Sequence, residues 1–386
     1  MRVALITDGI APYVIGGMQK HSFYLAKYFA KNNIQVDLIH YNNSSYNISQ
    51  LEFFTEEEKK FIHSIVIEFP VSLKFPGHYI YNSYQYSCLA FNAIKHQLTS
   101  YDFIYTKGFS GWKLISEKRK GAIKCCSIGV NFHGYEMFQF APEFKAKLGQ
   151  LLLKPFVKTI SQQADVVFSY GGKITPIIKS LGVPSNHIIE IPSGVEAEFI
   201  SNAISSQTES FTKFVFLGRA ERRKGIIELN TALTQLIKDK RRFQFDFIGP
   251  IPEELKLNHP SINYLGEIRD SKKIKDLLQQ SDVLVCASWS EGFPNVILEA
   301  MATGLAIIAT DVGAVSTMVS DKNGWLIQPF DSKQLHDTLI DALTCQTLIS
   351  KKQHSLDLIK TQFNWDIISK KTIQSITDFV PDNNLD

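Results

Sequence analysis

The feature that most restricts this chain is an alternation that persists along almost its whole length. Short runs of consecutive apolar residues are separated by segments with helical periodicity. In the first half the runs at Val3–Thr7, Val36–His40, Ile65–Phe69, Phe103–Tyr105, Ser127–Asn131, Val166–Ser169 and Ile188–Ile191 predict strands. They are apolar throughout rather than at every second residue, the mark of a parallel sheet covered on both faces by helices. Between the first two, Gly17–Lys31 places Met18, Ser22, Leu25, Ala26 and Phe29 on one face of a helix. The series restarts with strands at Phe214–Leu217, Phe243–Ile248, Ile262–Leu265, Val283–Cys286, Ala306–Ala309 and Trp325–Ile327. Helical patterns at Ile226–Lys238, Lys272–Gln280 and Lys333–Leu343 intervene. The polar stretch IPSGVEAEFISNAISSQTES, residues 191–210, interrupts the pattern with Pro192, Gly194 and a high serine content, so it reads as a link. The fold class is α/β, two doubly wound Rossmann-like domains in tandem.

A chain of 386 residues, 44% apolar, can furnish a core for each. With 41 basic and 38 acidic residues it has no basic excess for nucleic acid. The cysteines, Cys88, Cys125, Cys126, Cys286 and Cys345, are odd in number and contain no C-x-x-C. That argues against a disulfide framework or a zinc site and for a reducing, cytoplasmic setting. The start MRVALITDGIAPY has no signal-peptide pattern, and no run is long and apolar enough for a membrane span.

In open α/β sheets ligands sit beyond the carboxyl ends of the strands. Two such sheets facing each other would enclose a central cleft, so the loops after strands are where chemistry is sought. After the apolar VLVCASW comes EGFPNVILEAMATG, which runs from a loop into a helix with Asn295 as the expected N-cap. The first turn of that helix offers unpaired N–H groups and partial positive charge, a cradle for phosphate. Glu291 lies just before it and Glu299 about one turn inside, and carboxylates suit the vicinal hydroxyls of a sugar. The plain alternative is a solvated loop acid and an exposed helix acid. In FVFLGRAERRKG a strand ends at Gly218, and Arg219 and Lys224 follow at its carboxyl edge. Such a pair can neutralise a departing diphosphate, or be no more than a charged turn. In GIAPYVIGGMQKH the pair Gly16–Gly17 opens a helix without the G-x-G-x-x-G of a dinucleotide site. His133, in SIGVNFHGYE, ends an apolar strand and can bond a substrate hydroxyl, with His21 next by position.

The combination of the glycine pair, H-G after a strand, P-S-G-V, G-R-x4-K-G and E-G-F-P-N-V-x-x-E-A-M-A-x-G resembles the retaining glycosyltransferases of family 4. That resemblance implies the GT-B fold. It divides the chain into an acceptor-binding domain (1–192), a nucleotide-sugar-binding domain (193–364) and a C-terminal helix (365–386) returning to the first. It implies that Arg219 and Lys224 hold the donor diphosphate and that Glu291, beside Gly292, and His133 contact the transferred sugar. Phe293, Asn295 and Val296 would contribute backbone groups and Glu299 would bind the ribose. Gly16 and Gly17 would lie beneath the phosphates and the base near Leu265 and Ile268. Gln19 stands where the family often has Glu. The implied reaction is metal-independent, retaining transfer, without cofactor, from a nucleotide-sugar, most often UDP-linked, to a glycan or lipid-linked acceptor in bacterial cell-surface polysaccharide or lipopolysaccharide synthesis. A sugar-nucleotide epimerase and a non-catalytic nucleotide or glycan binder fit the same architecture. The segment 144–160 mixes lysines with Leu, Phe and Val. It reads as a helix broken at Pro155, either an ordinary amphipathic one or one resting on the inner face of an anionic membrane. The aromatic-rich 74–86 could stack on sugars or simply pack.

Overall fold

The computed structural model describes residues 1–14, 16–42, 53–71, 75, 77–141, 143–204 and 211–380. Ile15 ahead of the glycine pair, the end of the expected link (205–210), and Lys74 and Pro76 of the aromatic stretch lie outside the described residues.

The chain divides into two compact units. One comprises Met1–Phe138, Lys147–Pro192 and Trp365–Asp386; the other comprises Gln139–Ala146 and Ser193–Asn364. The first unit contains seven strands: β1 (Arg2–Ile6), β2 (Gln35–His40), β3 (Ile62–Val66), β4 (Phe103–Lys107), β5 (Ser127–Asn131), β6 (Val166–Ser169) and β7 (Ile188–Glu190). Their order is β3-β2-β1-β4-β5-β6-β7, all parallel. The second unit contains β8 (Thr212–Leu217), β9 (Phe243–Ile248), β10 (Ile262–Tyr264), β11 (Val283–Cys286), β12 (Ala306–Thr310) and β13 (Gly324–Ile327). Their order is β10-β9-β8-β11-β12-β13, again all parallel. In each sheet the winding reverses beside the first strand, between β1 and β4 and between β8 and β11. Ligands of open α/β sheets collect at such reversals.

The continuous apolar strands are buried as their composition requires: Val3, Ala4, Leu5 and Ile6 of β1 and Phe214 and Val215 of β8 are fully enclosed. The helix Trp365–Thr377 belongs to the first unit. Its Trp365, Ile368 and Ile376 are buried in that unit's core, and the Trp365 ring stacks on Tyr28 at 5.8 Å. The second core is built on Phe214, Phe245, Phe247, Leu229 and Leu233. Among the described residues no helix is long and apolar enough to cross a membrane.

Three local expectations are corrected. β3 begins at Ile62, not Ile65, because a capping box at Thr55 and Glu58 starts a short helix that ends just before it, and Val36 then pairs with Ile62. The helix Phe144–Gln163 runs through Pro155 without a break. Pro155 and Leu151 are both on the exposed side, where the carbonyl deprived of its partner can meet water. Asn295 is the first helical residue, not the cap; Pro294, with φ −70° and ψ 106°, occupies the cap position and Asn295 makes no capping bond.

Candidate functional site

In the second unit the site begins where β8 stops. Gly218 follows the strand, and the chain makes one tight turn, Arg222–Lys224, before Gly225 turns it into the helix Ile226–Lys238. Gly225 has φ +71°, and a Cβ there would lie 1.9 Å from the Ala287 carbonyl oxygen, just past β11. Absence of a side chain thus brings the loops after β8 and β11 into backbone contact, and Trp289 N donates to Arg223 O at 2.7 Å. Arg222 adds a second clasp, a bidentate bond to Glu228 at 2.7 and 2.8 Å with its guanidinium 3.7 Å from the centre of the Trp289 ring.

Held this way, Lys224 Nζ donates to Glu291 Oε1 at 2.6 Å. Arg223 lies 3.7 Å from the same oxygen and bonds Glu221, which also pairs with Arg219 at 2.9 Å. Four groups of the β8 loop thus lead from a solvent-facing guanidinium, Arg219 with its side chain 75% exposed, to a carboxylate with 9% exposure. The Glu291 backbone is fixed independently. The Gln139 amide donates to its carbonyl at 2.6 Å and accepts from its N–H at 3.2 Å. Gly313, φ +55°, passes so close that a Cβ would lie 2.0 Å from that carbonyl oxygen. The helix Asn295–Ala302 then starts with the N–H groups of Asn295 and Val296 outside the i→i−4 ladder. Gly292 and Phe293 are buried, and Glu299 lies part-buried in the second turn. At the neighbouring strand ends Gly249 N donates to Gly266 O at 2.8 Å. Leu265 is exposed beside Gly266, Ile268 is half-buried, and space at Gly266 is open. This edge can admit a flat ring; the loops after β8 and β11 offer cations and a fixed carboxylate.

In the first unit the corresponding reversal holds a different chemistry. Lys107, at the end of β4, is fully buried, and its Nζ lies 2.9 Å from His21 Nδ1. Burial and the neighbouring Lys107 keep His21 well below the usual imidazole range, and burial lowers Lys107 itself. His133 follows β5 with φ +65°, a backbone state that a side chain rarely adopts. Its N–H is held by Asn131 Oδ1 at 2.6 Å, and its Nδ1 lies 2.7 Å from Tyr170 Oη. Burial, with Lys107 behind, lowers His133 to about 3, so the ring is neutral. In the tautomer where the phenol donates to Nδ1, Nε2 carries the proton and can donate in turn. Asp8, just after β1, accepts from Gln19 Nε2 at 2.8 Å. Burial pushes its carboxyl up to about 6 against the lowering effects of Gln19 and Lys107. Gly16 is bare where a Cβ would overlap Gln19 Oε1, and Gly17 opens the helix.

Of the expected residues, Lys224 and Glu291 are in direct contact, and Arg219 joins them through Glu221 and Arg223. Gly16, Gly17 and His133 belong to the other unit and are described within it. Sequence reasoning did not single out Gln139, Arg223, Asp8, Lys107 or Tyr170. A lysine ending the apolar run DFIYTK was a usable signal. Gln139 gave none, since it grips a residue 152 positions away.

Two parallel sheets of this winding, each with polar groups gathered at its reversal, are the GT-B class of architecture. Sucrose-phosphate synthase from Thermosynechococcus elongatus superposes with TM-score 0.78 at 19% identity over 98% of each chain. Anabaena Alr3699/HepE in complex with UDP does so with TM-score 0.71 at 15% identity over 98% of this chain and 100% of that one. The family model Glycosyltransferase Family 4 matches residues 15–199, and Glycosyl transferases group 1 matches residues 212–345. The chain belongs to these family 4, group 1 glycosyltransferases. Among curated relatives, the Campylobacter jejuni N,N'-diacetylbacillosaminyl-diphospho-undecaprenol alpha-1,3-N-acetylgalactosaminyltransferase is 28% identical over 240 residues, 56% of this chain and 62% of that protein. The Mycobacterium leprae phosphatidyl-myo-inositol mannosyltransferase is 26% identical over 196 residues, 48% and 52% of the two chains. Each match spans less than two thirds of the relative's length.

Proposed function

We propose that this protein is a retaining glycosyltransferase that moves a sugar from a UDP-sugar to a hydroxyl of a glycan or lipid-linked acceptor in bacterial cell-surface polysaccharide synthesis. The observation that carries this reading is the Lys224–Glu291 contact at 2.6 Å beside Arg219 and Arg223. Charge develops on the diphosphate as the glycosidic bond breaks, and prearranged cations stabilise it more than they stabilise the ground state. Lys224 and the two arginines supply this positive charge, in a reaction that uses neither a metal nor a cofactor. Glu291, fixed by Gln139, accepts hydrogen bonds from hydroxyls of the transferred sugar, and Glu299 from the ribose. Phe293, Asn295 and Val296 offer backbone groups at the helix start, and Leu265 and Ile268 flank the base. Gly16 and Gly17 lie under the phosphates, and His133 donates from Nε2 to a sugar hydroxyl. The acceptor hydroxyl arrives on the face that the diphosphate leaves, and a leaving phosphate oxygen takes its proton, which preserves the anomeric configuration. Support for UDP and for a lipid-linked acceptor comes from what the similar proteins named above bind or act on. The protein works in the cytoplasm, from which a peripheral contact with the inner face of the membrane is open to it.

Thermal-shift screening against nucleotide-sugars, then measurement of transfer to a lipid-linked saccharide pool, tests the reading. Lys224→Ala is expected to lower turnover by about 10²–10³-fold while far-UV circular dichroism stays unchanged. Wild-type turnover in that variant overturns the assignment.

A further inference from the structure

Within the first unit, the carboxyl ends of β1, β4 and β5 border a cavity of 230 Å³. Its wall combines ring faces and edges, Phe69, Tyr79, Phe109 and Phe132, with the polar groups of Asp8, His133 and Glu136. We propose that this cavity takes a single uncharged pyranose of the acceptor, and that Asp8 is the specificity-determining residue that binds its hydroxyls and turns anionic sugars away. The inference rests on the glycosyltransferase reading for the word acceptor, but not for the chemistry of the cavity.

A pyranose presents C–H faces that pack on aromatic rings and hydroxyls that each donate and accept. The cavity answers both needs. Asp8 is an acceptor of fixed direction: Gln19 holds one of its oxygens at 2.8 Å, and the bare Gly16 leaves room for that glutamine to fold back. His133, whose Nδ1 lies 2.7 Å from Tyr170 Oη, closes the cavity on another side with its ring. Its left-handed backbone, anchored by Asn131, aims the ring. Strain of this kind persists where the surroundings hold it for a purpose. Volume limits the occupant to about one ring.

Charge narrows the ligand further. Two carboxylates, Asp8 and Glu136, line the cavity, and among the described lining residues there is no lysine or arginine. The nearby amine of Lys107 is fully buried and its Nζ is engaged with His21. A uronate or a sugar phosphate would bring a third anion into a partly dehydrated space with no partner, an arrangement that costs far more than it returns. Burial pushes Asp8 up to about 6, so at neutral pH it is mostly ionised and the discrimination operates.

The test is direct binding, without nucleotide, of methyl hexosides and methyl N-acetylhexosaminides against methyl hexuronides and hexose 6-phosphates, by titration calorimetry or saturation-transfer NMR at pH 7.5. At least one neutral glycoside is expected to bind the wild type, with its uronide or phosphate counterpart at least tenfold weaker. Asp8→Asn, which keeps the oxygen that Gln19 bonds, is expected to weaken the neutral ligand about tenfold and to narrow the neutral-to-anion ratio. Glu136→Gln, at an exposed position, narrows the same ratio without touching the core. A merely structural Asp8 would leave that ratio unmoved. The inference is overturned if no neutral glycoside binds, if uronides bind equally well, or if both variants keep the wild-type ratio. Failure to turn over any donor would defeat the transferase reading and leave this binding result standing.

Discussion

A position of the second unit that bears directly on the candidate site is a residue with no side chain. Gly225 lies with φ +71° against the Ala287 carbonyl, 1.9 Å from where a Cβ would be. Backbone cannot yield as a side-chain tip does, so a methyl group there must push the loop after β8 away from the loop after β11. Those two loops carry Lys224 and Glu291, whose atoms now meet at 2.6 Å. Displacement by about 1 Å can cost about 10²-fold where catalysis depends on placement. Gly225→Ala is therefore expected to lower kcat/KM by about that factor, and by more in kcat than in donor affinity. It also costs about 1–3 kcal/mol of stability from the left-handed backbone and the overlap. Chemical denaturation and steady-state transfer check both, and wild-type kcat would show that the spacing of the two loops is immaterial. The site glutamate and lysine were readable because each follows an apolar strand; the glycine's role was not, since the carbonyl it abuts lies 62 positions along.

Among the elements, the helix Phe144–Gln163 stands apart. Leu148, Leu151 and Leu152 are 46–53% exposed, and Lys147 and Lys158 are exposed beside them. Aliphatic side chains at i, i+3 and i+4 with adjacent lysines suit the interface of an anionic bilayer, where each lysine contributes about 1 kcal/mol. Vesicles containing phosphatidylglycerol are expected to carry the protein upward in flotation, vesicles of phosphatidylcholine alone to do so weakly, and Leu148→Ser with Leu152→Ser to abolish it. Equal flotation by the double variant would reassign the stripe to ordinary surface. Strands and the two sheet reversals were legible, because unbroken apolar runs leave little choice but a covered parallel sheet. The helix His78–Ile94 was not, since its tyrosines, asparagines and serines follow no clean apolar stripe. Pro155 misled for a physical reason as well: a proline breaks a helix only where the orphaned carbonyl has no other partner. Buried charges such as Lys107 escaped because periodicity treats a polar strand end as solvated.

At the scale of the molecule the two units differ in the buried titratable groups beside their sheet reversals. The second pairs its buried charges: Lys224 with Glu291, Lys352 with Asp282, Lys213 with Asp246. The first buries titratable groups near its sheet reversal and, at His40, at the end of β2. Burial lowers His40 from 6.5 to about 4, and burial with Lys107 lowers His133 to about 3. Both rings fold neutral, so their contribution to stability is complete above 6.5 and is lost as pH falls through 4 and 3. For His40 it amounts to roughly 3 kcal/mol at 1.36 kcal/mol per unit. Asp8 opposes them. Its carboxyl rises from 3.8 to about 6, so its contribution is complete below 3.8 and is lost as pH rises through 6. Near pH 5 two histidines against one aspartate leave about one extra proton on the unfolded chain, or roughly 1.4 kcal/mol per pH unit. His21, also lowered by burial, acts in the same direction. Acidification from pH 7 to 5 is therefore expected to loosen the first sheet before the second. Hydrogen exchange, corrected for its intrinsic pH dependence, should show protection falling in β1, β4 and β5 while β8 and β11 hold. Asp8→Asn should steepen that acid slope and raise stability at pH 7, because it removes the one term of opposite sign. Equal loss of protection in both sheets would mean that these buried groups do not govern the acid response.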